Sequence, residues 1–239
     1  MLNLFNQEKE NESDLDIKVE NNSKSKMDEH YTGKIKKEKG NIQFVNIIGQ
    51  IEGHMVLPPD NKSTKYEHII PLLIEMSEDD EIDGLIFILN TVGGDVEAGL
   101  AIAELISTIG KPTVSLVLGG GHSIGVPLAV STDYSFIAKS ATMMLHPVRV
   151  NGLVIGSKQT YQSLNKTQER IFDFIVENSA ITMDKLKDLM FRTDMLASDI
   201  GTILYGKEAV NTNLINEVGG LDCAMKKLYE LIESKNSKK

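Results

Sequence analysis

Residues 83–95 read DGLIFILNTVGGD and residues 113–125 read TVSLVLGGGHSIG. In both, a continuous apolar run of strand length, Asp83–Leu89 and Thr113–Leu118, meets a cluster of glycines. Apolar runs without polar alternation mark strands covered on both faces, and glycine permits the turn that closes each one. Between them Val96–Ile109 carries a helical pattern that stops at Gly110 and Pro112. Strand, glycine turn, helix, strand, glycine turn is a repeated βα order, and it predicts an α/β fold with right-handed crossovers.

Outward from this centre the alternation continues. Ile42–Ile51 reads as a strand and Lys65–Met76 as a helix, with Ile69, Leu72, Leu73 and Met76 at helical spacing. Ser123–Ser131 reads as a helix, and Tyr134–Ala138 and Thr142–Leu145 as strands. Ser157–Asn178 is a long helical stretch, followed by helices from Thr182, over Lys207–Asn213 and over Cys223–Glu233. Residues 1–40 differ in kind, holding nine acids and eight lysines among few apolar residues. Such a segment buries too little apolar surface to offset its ordering entropy. The expected organisation is a disordered tail over 1–40, one domain over 41–232 and a flexible end over 233–239.

Composition narrows the function. A formal charge of −9, with 34 acids against 25 Lys and Arg, argues against nucleic acid as a partner. The single cysteine, Cys223, excludes a disulfide framework and a Cys-rich metal site. No apolar run approaches the roughly 18 residues of a membrane span, and Asn3, Gln7 and Glu8 interrupt any secretion signal. A soluble cytoplasmic protein is expected, with no metal and no cofactor.

Sites in open α/β sheets form at the carboxyl ends of strands, so the two glycine turns are the place to look. Neither carries the lysine of a phosphate-binding loop or a dinucleotide pattern. Gly121-His122-Ser123-Ile124-Gly125 matches G-x-S-x-G, which exposes a serine on a strand-to-helix turn. An α/β-hydrolase triad would need Asp133 and His146 as partners, all within 24 residues, which is too compressed. Another arrangement fits better: His146 closes the strand Thr142–Leu145 and acts as general base on Ser123. The acid that orients it then comes later, from Asp173, Asp184, Asp188, Asp194 or Asp199.

These segments, residues 86–148, resemble the Clp protease proteolytic subunit family, self-compartmentalising serine peptidases on the crotonase-like fold. The family's Asn-Ser-Pro-Gly-Gly turn is similar to Asn90-Thr91-Val92-Gly93-Gly94, and its Ala-Ser-Met-Gly segment to His122-Ser123-Ile124-Gly125. Its Met-Ile-His-Gln-Pro segment is similar to Met144-Leu145-His146-Pro147, and its Glu-Ala-Val-x-x-Gly-Leu-Val-Asp segment to residues 208–216. Within the family, the replaced residues, the tail and the run Gly119–His122 resemble the translocation-enhancing protein branch.

The resemblance implies an α/β fold of repeated ββα units with a protruding handle helix at about residues 157–178. It implies a serine endopeptidase with Ser123 as nucleophile, His146 as base and the N–H groups of Gly94 and Ile124 as oxyanion hole. For the acid it implies the stretch holding Asp194 and Asp199, with Asp194 preferred because it follows a helical run. A peptide or protein substrate and a ring-forming homo-oligomer, heptameric or tetradecameric, are implied as well. The apolar residues Tyr161, Leu164, Ile171, Phe172, Ile175 and Val176 of the long helix are expected at an inter-ring contact. A Clp-type ATPase partner is implied by the family, and the charged tail standing where the family has axial loops counts against it. His122 and Asp95 replace a small and an apolar residue, and both are expected to alter the cleft. The competing readings are a catalytically silent assembly or adaptor member and a crotonase-type acyl-CoA enzyme.

Overall fold

A computed structural model describes residues 31–37, 40–150, 155–194 and 200–237. Among these residues the sheet has nine strands: β1 (Thr32–Lys37), β2 (Gly40–Glu52), β3 (Ser63–Lys65), β4 (Gly84–Gly94), β5 (Thr113–His122), β6 (Tyr134–Ile137), β7 (Thr142–Leu145), β8 (Thr202–Tyr205) and β9 (Glu217–Val218). The main path runs β1-β2-β4-β5-β6-β9, with β3 on β2, β7 on β5 and β8 on β7. Pairing is parallel except at β1·β2 and β7·β8. Among the described residues seven helices alternate with the strands: α1 (Tyr66–Glu78), α2 (Val96–Thr108), α3 (Gly125–Val130), α4 (Lys158–Glu177), α5 (Met183–Met190), α6 (Gly206–Asn211) and α7 (Leu221–Asn236). This mixed α/β architecture with a mostly parallel sheet agrees with the crotonase-like expectation.

The unbroken apolar runs are covered on both faces. Leu85, Phe87 and Leu89 of β4 enter one core with α1 to α5, while Ile86 enters a second core with Ala224, Leu228 and Ile232 of α7. Each strand therefore needs apolar residues at consecutive positions, which is why alternation is absent. β5 is the pivot: β6 pairs with its first half, Val114–Val117, and β7 with its second, Gly120–His122.

Two expectations change. The glycines do not close β4 and β5; both strands run through them. Gly93 and Gly94 take φ of 86° and 156°, and a Cβ at Gly94 would stand 2.2 Å from the Ile51 carbonyl oxygen. Glycine lets the ladder bulge and continue where another residue would end it. The sheet also begins inside the stretch expected to be tail. In β1, Ile35 packs beside Phe44 on the α7 side, and Lys34 lies 3.5 Å from Asp79. The charges of this edge meet acids some forty residues away in sequence, a pairing composition does not reveal. Residues 1–30 lie outside the described residues.

Candidate active site

Ser123 follows β5 directly and has φ of 56°, a left-handed conformation uncommon for a residue with a Cβ. Its N–H donates to the Met144 carbonyl at 2.8 Å and its carbonyl accepts from Val126 at 3.0 Å. The turn is thus fixed by β7 on one side and by the start of α3 on the other. Strain of this kind persists only where the surroundings over-determine it, as at a nucleophile. Ile124 stands at the N-terminal boundary of α3, where first-turn N–H groups have no intrahelical partner.

The turn of β4 reaches the same point. Thr91, 1% exposed, donates its hydroxyl to the Gly49 carbonyl at 2.6 Å and accepts the Gly93 N–H at 3.0 Å. Asp95 caps α2, accepting the Ala98 N–H at 2.8 Å, and its carboxylate crowds Gly53. Its departure from an apolar residue is thereby explained by capping.

His146 emerges from β7 beside this pair. Its Nδ1 lies 2.7 Å from the Pro147 carbonyl oxygen. A carbonyl only accepts, so Nδ1 carries the hydrogen and Nε2 is the acceptor nitrogen of the neutral ring. Ser123, Ile124, Gly94 and His146 line one pocket of about 210 Å³, with Gln50 and Met190 on its walls. They come from three separate segments: the end of β4, the turn after β5 and the end of β7.

The acids are distributed differently. Asp173 and Asp184 are exposed, and Asp188 pairs with Lys185 and Arg192. Asp194 is 76% exposed, with Oδ1 3.5 Å from Arg192 Nε, and it does not line the pocket. α5 ends at Met190 with Phe191 as its cap, so Asp194 does not sit on a helix. Asp199 lies outside the described residues. Just beyond it, Gly201 packs on His146, where a Cβ would stand 3.0 Å from the His146 Cβ, and Thr202 pairs with Leu145.

His122 points its Nε2 to the Thr142 hydroxyl at 2.8 Å. Burial pushes its imidazole below the ordinary value, and the neighbouring His146 pushes the same way. Its contact is with β7 and not with the pocket lining. Sequence reasoning missed Thr91 and Gln168. Thr91 was visible only as a hydroxyl before the glycines, and Gln168 as a polar residue on the apolar side of a helix. Among the described residues no group of three or more His, Cys, Asp or Glu could hold a metal, and no helix is long and apolar enough to cross a membrane.

A doubly covered parallel sheet with a strained serine, a histidine and two glycine turns at one strand end is a peptidase-like arrangement, and residues 36–221 match the Clp protease family. The chain belongs to that family. It is 60% identical over 196 residues to the translocation-enhancing protein TepA of Halalkalibacterium halodurans, covering 82% of this chain and 77% of that one. It is also 25% identical over 183 residues to an ATP-dependent Clp protease proteolytic subunit of Streptococcus pneumoniae, covering 73% and 87%. A subunit 1 of the same kind from Chlamydia muridarum is 29% identical over 128 residues, covering 51% and 66%.

Proposed function

We propose that the protein is a cytoplasmic serine endopeptidase that cleaves peptide bonds through an acyl-enzyme. The observation that carries this reading is the left-handed Ser123 sharing one pocket with His146 and the Gly94 turn. In this mechanism Ser123 Oγ attacks the scissile carbonyl carbon while His146 Nε2 takes its proton. The developing oxyanion is held by the N–H groups of Gly94 and Ile124, worth about 3–4 kcal/mol per donor in serine hydrolases. His146 then returns the proton to the leaving amine, and water repeats the sequence to release the acid.

For the acid that steadies the imidazolium, the two sequence candidates separate. Asp194 is engaged with Arg192 at the surface. Asp199 is two residues before Gly201, whose backbone rests on His146. That contact favours Asp199, and we assign it the role of steadying the charge that His146 gains, beside the Pro147 carbonyl that accepts the Nδ1–H.

The long helix α4 is proposed as the handle of a ring-forming homo-oligomer. Its apolar residues divide: Ile171, Phe172 and Ile175 are buried in the chain's own core, while Tyr161 in the first half is 66% exposed. The first half is the part available to a second ring. The substrate is a peptide or protein. A Clp-type ATPase partner belongs to the same proposal only as an optional one.

A silent assembly or adaptor member is the second reading, favoured by the engagement of Asp194 away from the pocket. A fluorophosphonate probe separates the two. Labelling of the wild type that disappears in Ser123→Ala supports the peptidase; no labelling of folded wild type supports the silent member.

A further inference from the structure

The peptide unit between Pro147 and Val148 is gripped at both ends. Its carbonyl oxygen accepts from His146 Nδ1 at 2.7 Å, and its N–H donates to Gln168 Oε1 at 2.8 Å. Gln168 is only 8% exposed and belongs to α4, a helix that contributes nothing else polar to this core. Its Nε2 is 3.0 Å from Met190 Sδ, the last residue of α5. A backbone N–H can only donate, so the Val148 contact fixes which end of the Gln168 amide faces it.

A primary amide buried among Ile171, Phe172 and Met190 costs free energy unless it is hydrogen-bonded, and an apolar residue would fill the place without that cost. What the amide does here follows from the torsions. The proline ring locks φ of Pro147 near its usual value. The tilt of the next peptide therefore depends chiefly on ψ of Pro147, and a bond to the Val148 N–H sets that angle. The carbonyl of the same peptide accepts from the His146 Nδ1–H.

We infer that Gln168 is a positioning residue for His146: it fixes the Pro147–Val148 peptide, whose carbonyl holds the Nδ1–H and so turns Nε2 toward Ser123. This links the packing of α4 and α5 to the aim of the general base through a single buried side chain. The kinetic part of the inference rests on the peptidase reading above.

The test uses the full chain and two substitutions at one site. Gln168→Met keeps the length and removes the acceptor; Gln168→Glu keeps an oxygen for the Val148 N–H. Hydrolysis of a fluorogenic peptide, thermal melting and crystal structures of the wild type and Gln168→Met are compared. Misaiming a catalytic group costs up to about 10²-fold. Gln168→Met should therefore lose about 10- to 100-fold in kcat with KM held within about twofold. Gln168→Glu should stay within about fivefold of wild type, and the His146 ring in Gln168→Met should have left the Pro147 carbonyl. Should Gln168→Met fail to fold, Val148→Pro removes the donated N–H while leaving every α4 residue in place, and it is expected to show the same loss of kcat. Unchanged kcat in folded Gln168→Met or in Val148→Pro overturns the inference, as does a loss that only follows the folded fraction and is not restored by glutamate. If the wild type neither hydrolyses peptides nor takes up a fluorophosphonate, the peptidase reading fails and the ring position decides alone. A ring unmoved in Gln168→Met overturns the inference, and a displaced ring upholds it.

Discussion

Gly93 and Ser123 are in contact: a Cβ built on Gly93 would stand 2.6 Å from the Ser123 Cβ and 3.2 Å from its Oγ. The two glycine turns therefore close on each other as one unit, and the strand ends of β4 and β5 hold Ser123, the proposed nucleophile, between them. Gly93→Ala adds both a clash and a left-handed strain, since Gly93 has φ of 86°. The expected loss is about 2–4 kcal/mol in urea unfolding, with loss of probe labelling at Ser123 in the protein that remains folded.

Thr91 acts one layer below. Thr91→Val keeps the shape and removes the hydroxyl that joins the Gly49 carbonyl to the Gly93 N–H. Leaving buried groups unpartnered costs about 1–3 kcal/mol. The variant should therefore melt earlier and label more slowly than the wild type. Equal labelling rates would show that the Gly93-Gly94 turn keeps its shape without this bond.

The acids give a paired comparison. Loss of the orienting carboxylate lowers kcat about 10⁴-fold in a serine protease triad. Asp199→Asn is expected to fall by a comparable order. Asp194→Asn, which removes only an exposed pairing with Arg192, is expected to stay within about threefold, as surface ion pairs contribute little. The reverse ranking in an acyl-enzyme burst assay would return the role to Asp194.

Much of this arrangement is legible in the sequence. The unbroken runs in 83–89 and 113–118 announced strands buried on both faces, and Ile86 against Leu85 and Phe87 bears that out. Ser123 and His146 stand out as candidates because each follows an apolar strand, and the structure brings both to one pocket. What stayed hidden depends on contacts between distant residues. β1 is held by Lys34 to Asp79 and by Ile35 beside Phe44, neither of which has a local signal. The glycines looked like strand breakers because only the neighbouring Ile51 carbonyl shows why they must be glycines. Gln168 read as one more polar residue on a long helix until the fold brought it to Val148.

His122 carries a pH dependence. Its folded pKa lies below the ordinary 6.5, first because of burial and then because of His146. Unfolding lets it take up a proton more readily, so its contribution to stability is complete above about pH 6.5 and shrinks as the pH falls toward the folded value. Between about pH 7 and about pH 5, His122→Gln should lose less of its melting temperature than the wild type does. Parallel curves for the two proteins would show that another group carries the acid sensitivity.

The central claim is that Ser123 forms a covalent acyl-enzyme. Intact-mass spectrometry of the wild type, mixed with an activated ester and quenched within the first turnover, tests it most directly. The account predicts one acyl group per chain, carried by the peptide that contains Ser123 and absent from Ser123→Ala. An adduct that persists in Ser123→Ala, or a folded wild type that turns the ester over without ever gaining mass, would contradict it.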